Sequence, residues 1–514
     1  MVYRDTGLQL AMPPVRRVLL IAVSAVLVIV FILYPLALAI TALAAQSLLY
    51  VLNVLACALA RGTSESPGQS EIAKMTGPTI FSVHVPTHNE PPEVVIETLK
   101  SLRRQVGAPA HEIIVIDNNT EDPTLWQPVA EWCAANPGFR FLHREGVKGA
   151  KAGALNIALA ETRPDATHIV TVDADYQVVP GFLSTAEKEL IARKADFIQF
   201  PQAYRMPKAG AGESGGGIAL ELADYFDRHA SAANHAGAML LTGTLSVIGK
   251  PALEAVGGWS SRTATEDAEL GLRLAEAGYR GAYVHKTVGY GLLPLSSQAL
   301  HHQRHRWASG NMRTLTLWIA EHWSGRAKPK ARNLTRKVLV MAQLTAWANF
   351  ALPAVIALTL ATVYSAVGIS VPADLINGTT LLTLCLVLLS AALPLWFGRK
   401  HARSSLPAAI CSRIFLLPTA ATATIRGLMP LRQTFRVTPK SPAGDSPAPG
   451  DGLAGARLTM IWGCALGAAG MDLACLPVLL SGALLALPLL AGQYAARALD
   501  NYSAFVSAMQ RQGV

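Results

Sequence analysis

Three carboxylates stand at the ends of two apolar runs. Asp117 follows Ile113-Ile114-Val115-Ile116, and Asp173 with Asp175 follow Ile169-Val170-Thr171-Val172. Ligands of an open α/β sheet bind beyond the carboxyl ends of its strands, so both runs would deliver their acids to one edge. A hard divalent cation, Mg²⁺ or Mn²⁺, wants such oxygens and takes its remaining ligands from phosphate and water. N-capping of a following helix is the alternative for this D-x-D.

Thr265, Glu266 and Asp267 precede an amphipathic helix with Leu270 and Leu274 at i, i+4 spacing. They read either as an acidic first turn or as a general base that takes a proton from a hydroxyl nucleophile. Lys148 and Lys151 bracket small residues ahead of another helix, an arrangement that suits phosphate, although no GxxxxGK[ST] loop is present. The stretch His301–Gly310 (HHQRHRWASG) adds Arg304 and Arg306, whose forked donors match phosphate oxygens, and Trp307, whose face suits a sugar ring. A metal-holding acid pair, a base, cations and a Trp together are what transfer from a nucleoside-diphosphate sugar requires.

The elements that must position these groups follow from periodicity. TIFSVHVP, EIIVID, THIVTVDAD and ADFIQFP read as strands; PPEVVIETLKSLRRQ, KAGALNIALAET and PGFLSTAEKELIARK read as helices between them. Strand–helix alternation predicts an α/β domain over 70–326, with a mostly parallel sheet and helices on both faces.

The rest of the 514-residue chain is of another kind. It is 51% hydrophobic but only 15% charged, well below the roughly 25% of a soluble domain, so part of it belongs in lipid. Val18–Ala60 holds no charge and is long enough for two spans broken near Tyr34-Pro35, giving an N-terminal segment 1–65. Further apolar runs lie at 338–367, 379–397, 458–471 and 474–497. They predict an interfacial helix and two spans over 327–397, a basic interfacial helix and loop over 398–456, and two spans with a short tail over 457–514. About six spans result. The net charge of +10 is concentrated in 398–457 and beside the first spans, as the positive-inside rule requires of cytoplasmic segments, and calls for membrane lipids rather than nucleic acid. The six cysteines (57, 133, 385, 411, 464, 475) show no metal spacing and read as buried small hydrophobes.

In order along the chain, Asp117, Asp173-Ala-Asp175, Thr265-Glu266-Asp267 and Gln303-Arg-His-Arg306-Trp307 resemble the D, DxD, TED and QxxRW motifs of processive, cellulose-synthase-like family 2 glycosyltransferases. HVPTHNE is similar to that family's first-strand motif, and TFRVTPK to its FxVTxK gating loop, with Phe435, Val437, Thr438 and Lys440 in register. The resemblance covers roughly 78–440. It implies a GT-A-like fold and inverting transfer from a UDP-sugar, UDP-glucose first, to a growing β-linked polysaccharide that is moved across the bacterial inner membrane from a cytoplasmic catalytic domain. It implies that Thr87, Glu90, Asp117, Lys151, Asp173, Gln303 and Arg306 bind the donor, that Asp173 and Asp175 hold the metal, and that Asp267 is the base. Trp307, Thr242, Gly243 and Glu266 would meet the acceptor.

Two positions depart from the pattern: His88 stands where Tyr is common, and LLTGT (Leu240–Thr244) replaces an FFCGS-type acceptor motif. The resemblance leaves room for an accessory export subunit. The competing expectations are a non-processive transferase acting on lipid, and a nucleotide-sugar-binding transporter or scaffold without turnover.

Overall fold

The computed structural model describes residues 34–62, 77–206, 216–234, 237–324, 334–367, 406–429, 453–472 and 475–511, and the isolated positions 26, 29, 33, 376, 378–382 and 385. Nine strands are described: β1 Ile80–Thr87, β2 Ala110–Asn118, β3 Phe139–Arg144, β4 His168–Thr171, β5 Gln177–Val178, β6 Phe197–Gln199, β7 Ser246–Gly249, β8 Gly281–Tyr283 and β9 Gly289–Tyr290. The main sheet runs β3-β2-β1-β4-β7-β6-β8. Only β7 runs against its neighbours β4 and β6, so the expected mostly parallel α/β sheet is present. A short β5–β9 ribbon lies beside it.

Strands covered on both faces are buried without alternation, as residues 81–87 of β1 and 113–118 of β2 are. The buried polar side chains of β1 are answered: Ser82 Oγ donates to Glu112 Oε1 at 2.9 Å and His84 Nε2 lies 2.9 Å from Thr162 Oγ1. One face packs Phe81, Val83, Val115, Val170 and Val247 against Leu99, Phe182 and Leu190 of the Pro92–Arg103 and Phe182–Arg193 helices. The other packs Ile114 and Ile116 on Ala154 and Ala158 of the Ala150–Ala160 helix, whose small residues bring its N-terminus close to the sheet.

The remaining helices form a second layer. Tyr34 is non-helical and Pro35–Gly62 begins at the proline, which is tolerated in a first turn. Three described helices are long and apolar enough to cross a bilayer: Pro35–Leu55, Leu406–Leu428 and Leu476–Met509. Ala351–Ser365 is apolar but shorter. Most of the 18–34 and 379–397 runs lies outside the described residues, so the count of six stays an expectation.

Leu406–Leu428 packs on the α/β domain. Gly217 meets the Ala408 backbone so closely that a Cβ would sit 2.4 Å from it, and Gly427 likewise faces Met312 and Ser309. Arg413 reaches the buried Asp224 at 2.5 Å, beside Arg228 at 2.9 Å. This helix thereby holds the Ser297–Trp323 helix, which carries Gln303 to Trp307.

Candidate active site

β1 and β2 end in register, Thr87 opposite Asp117. Thr87 Oγ1 and Thr120 Oγ1 donate to Asp117 Oδ1 at 2.9 and 2.7 Å, and His143 Nδ1 lies 2.8 Å from Oδ2. The His143 ring stacks on Trp126 at 4.4 Å between centroids. His143 and Trp126 carry no motif, and sequence reasoning missed them. Register was the available signal: His143 pairs with Asp117 across β2 and β3. Glu90 is buried just after β1. His88 Nδ1 lies 2.6 Å from the Asn118 carbonyl, so the histidine in the usual Tyr position joins the ends of β1 and β2.

A second group forms where β4 ends. The Lys151 ammonium donates to Asp173 Oδ1 at 2.5 Å and to the Gly243 carbonyl at 3.0 Å, with Glu266 Oε1 at 4.0 Å. Burial pulls its pKa down, but Asp173, Glu266 and Asp267 outweigh this and the net direction is upward. The Asp173 N–H donates to Thr244 Oγ1 at 2.9 Å. Asp175 is buried and accepts from the Leu292 N–H at 3.3 Å. Among the described residues no three His, Cys, Asp or Glu side chains are grouped as a metal cage. Two carboxylates following one strand still fit a cation that takes only one or two oxygens from protein, as Mg²⁺ does.

Asp267 stands in the first turn of the Glu266–Glu276 helix. Its Oδ1 accepts from the Ala268 N–H at 2.7 Å. Burial first, and Glu266 second, push its pKa up to about 7; Lys151, the Ala268 N–H and Arg306 oppose them. Glycines permit this crowding. Gly243 has φ +84°, and a Cβ there would lie 2.7 Å from Asp267 Oδ2 and 3.4 Å from Lys151 Nζ. A Cβ at Gly310 would lie 2.7 Å from the Thr265 side chain, so that small residue seats the Ser297–Trp323 helix against the Thr-Glu-Asp turn. Thr242 donates its N–H to Gln199 Oε1 at 2.9 Å, while its hydroxyl is buried and unbonded.

On that helix the two arginines part company. Arg304, read from sequence as a second diphosphate ligand, is buried and donates to buried Glu221 at 2.5 Å and to Gln303 at 3.1 Å. Its guanidinium lies 4.5 Å from the Trp307 ring and 5.1 Å from that of Trp347. The helical repeat explains the split, because residues two apart face different sides. Arg306 is left toward Asp267, on which it acts electrostatically.

Trp307 also meets Trp347 at 5.6 Å, and Tyr225 stacks on Trp347 at 5.5 Å. Tyr225 opens a π-helical turn, Tyr225–Ala230, a distortion frequent at functional sites. Burial, with Asp267 second, raises its phenol above the ordinary range. Sequence reasoning missed Tyr225 and Trp347, since neither sits in a motif and their stacking is a tertiary contact. Thus Lys151, Asp173, Gly243, Glu266, Asp267 and Arg306 share one neighbourhood, while Thr87 and Asp117 lie toward the β3 side of the sheet. Phe435, Val437, Thr438 and Lys440 lie outside the described residues.

Residues 82–240 match Glycosyl transferase family 2, and 168–398 match Glycosyl transferase family group 2. The chain is 31% identical over 221 residues to β-monoglucosyldiacylglycerol synthase of Synechocystis sp., covering 40% of this chain and 43% of that protein. It is 29% identical over 233 residues to a UDP-forming cellulose synthase catalytic subunit of Xanthomonas axonopodis pv. citri, covering 44% and 31%. Glucomannan 4-β-mannosyltransferase 2 of Arabidopsis thaliana is 27% identical over 213 residues, covering 38% of each chain. Each match spans less than half of the relative. Among solved structures, the mannosyltransferase PcManGT from Pyrobaculum calidifontis, in complex with GDP-Man and Mn²⁺, overlays with TM-score 0.48 at 20% identity, covering 76% of this chain and 99% of that one. Residues 82–398, which carry the sheet and its clustered acids, are thus matched throughout by two overlapping glycosyltransferase models, family 2 and family group 2.

Proposed function

We propose that this protein is a membrane-bound inverting glycosyltransferase that extends a β-linked polysaccharide from a UDP-sugar, UDP-glucose first. The observation that carries the reading is Asp267, poised near pH 7 against Gly243 and beside the Lys151–Asp173 pair. A base is most effective when its pKa lies near the working pH.

The acceptor hydroxyl oxygen attacks the anomeric carbon from the face opposite the diphosphate, and its proton passes to the Asp267 carboxylate. The bond from C1 to the diphosphate oxygen breaks, and its electron pair leaves with the nucleoside diphosphate. One displacement turns an α-linked donor into a β-linkage. Lys151 and Arg306 offset the charge that develops on the leaving group. Asp173 and Asp175 would hold Mg²⁺ or Mn²⁺, which when bound supplies positive charge to the pyrophosphate. Thr87 and Glu90 would flank the base, Gln303 would assist Arg306, and Trp307, Thr242 and Glu266 would face the acceptor.

Asp117 favours uracil by its capacity to accept hydrogen bonds. Oδ1 already takes two and Oδ2 one, so a single imide N–H fits better than guanine's adjacent N–H pair. Processivity and translocation rest on TFRVTPK and the apolar runs. Transfer to a diacylglycerol-type lipid is the second reading, favoured by the relative named β-monoglucosyldiacylglycerol synthase.

The test is product analysis. Purified protein in detergent with Mg²⁺ or Mn²⁺ is given radiolabelled UDP- and GDP-sugars, with and without diacylglycerol. Polymer cut by β-glucanases supports the first reading. Label confined to glycolipid supports the second, and donor binding without transfer of any label removes both.

A further inference from the structure

Away from the candidate active site, a cavity of about 300 Å³ lies between the Pro92–Arg103 helix and the last turns of the Leu476–Arg511 helix. That is near the lower end of ligand-pocket volumes, enough for a head group and the start of a chain. Leu292, Phe505, Val506 and Met509 form its apolar wall, and Arg205 shares the polar one with Glu93, Glu97 and Lys100.

The Arg205 backbone is clamped from both sides. Its N–H donates to the Gly291 carbonyl at 2.9 Å, and its carbonyl accepts from the Tyr502 hydroxyl at 2.9 Å. Its side chain is not answered: Nε is buried without a hydrogen bond, and no ion pair forms with the described residues. Glu97, also on the wall, is neutralised by Lys100 at 2.7 Å, and Glu93 is exposed at the rim. Burial holds the guanidinium below its usual range, with Tyr502, Asp175 and Glu97 opposing from a distance. A half-buried cation whose Nε is shut away without an acceptor gains from an anion that completes it.

We propose that this cavity binds an acidic amphiphile, with its anionic head on Arg205 and its apolar chain along Phe505, Val506 and Met509. The position suits such a ligand. A 36-residue helix is about 54 Å long against a bilayer core of ~30 Å, so the last turns of Leu476–Arg511 reach head-group level. The cavity also touches the segment that holds Asp175. Leu292 gives its N–H to Asp175 Oδ2, and the next N–H, of Leu293, goes to the Tyr502 hydroxyl at 3.3 Å. Occupancy would steady that segment. The assignment does not depend on which sugar is transferred.

The full-length protein, delipidated in detergent, is followed by thermal unfolding with phosphatidylglycerol, oleate, inorganic phosphate or phosphatidylcholine. Phosphatidylglycerol or oleate should raise Tm saturably by several degrees, and the better of the two identifies a lipid or a free acid as the source. Inorganic phosphate and phosphatidylcholine should do far less. Arg205→Gln should abolish the shift, and Val506→Trp, which fills the cavity but keeps the cation, should abolish it too. Without amphiphile, Arg205→Gln should unfold no lower than wild type, because it removes an unanswered charge. An equal response to inorganic phosphate, a shift that survives either substitution, or no shift at all would overturn the proposal.

Discussion

Asp117 and Asp267 are acids at the rim of one catalytic domain, and the fold treats them in opposite ways. Asp117 accepts from Thr87, from Thr120 and from His143, itself braced by Trp126. Asp267 accepts one backbone N–H and is pressed against Glu266. A carboxylate held by three donors, with room for one more, is rigid and acceptor-only, suited to recognition. One that is desolvated beside a second acid holds a proton more readily, suited to transfer. In the proposed function, the donor half of the site is thus built by hydrogen-bond satisfaction, and the transfer half by its controlled absence.

The sharpest break of this contrast is Asp267→Asn. It should lower sugar transfer by about 10³-fold or more while UDP affinity by calorimetry stays within about threefold. Loss of both together would place Asp267 in donor binding and dissolve the distinction. Gly243→Ala comes next. Its Cβ would land 2.7 Å from Asp267 Oδ2 in a backbone conformation that L-residues avoid. A fall in kcat of about 10- to 100-fold with UDP binding retained is expected, since small displacements of a reacting group are costly. Equal weakening of UDP binding would show that the loop serves the donor instead.

On the recognition side, His143→Ala should raise the KM for UDP-sugar about tenfold with kcat within about twofold, the cost of one charge-assisted hydrogen bond. It should also narrow the preference for UDP over GDP. A kcat effect with unchanged KM would contradict the role given to Asp117.

The subtlest test is pH. Asp267 must be ionised to accept a proton, so kcat/KM of the wild type should rise through about pH 7 and then level. Glu266→Gln removes a neighbour that raises this pKa and should move the rise to lower pH; Lys151→Met removes one that lowers it and should move the rise to higher pH. A rise unmoved by either substitution would mean that another group titrates.

Much of this contrast was legible before any coordinates. The strands ending at Asp117 and near Asp173 announce themselves as apolar runs closed by acids, and the Glu266–Glu276 helix by its leucine spacing. Local periodicity writes such elements directly into sequence. The antiparallel β7 was not legible, because direction within a sheet is a property of the connections and not of the strand. Nor was the fate of Arg304. Its type matched a phosphate ligand as well as Arg306 did, and only the Glu221 partner from another helix removed it. His143 went unseen because a lone histidine becomes informative only when its cross-strand neighbour is known. Leu406–Leu428, read as interfacial, packs on Ser297–Trp323 through Gly427 and on the Gly216–Asp224 helix where Ala408 meets Gly217, a small-residue fit that composition cannot show.

By itself, then, the order of residues established the kind of chain: an α/β catalytic domain joined to lipid-compatible helices, with acids, cations and a Trp in a family 2 sequence. Those features depend on local pattern and covalent order, which a sequence contains completely. Tertiary structure decided which acid is well supplied with donors and which is desolvated, which arginine faces the site, and that Arg205 Nε is left unanswered over a cavity. Each of these is a sum over neighbours distant in the chain, and desolvation and hydrogen-bond supply exist only once those neighbours are in place.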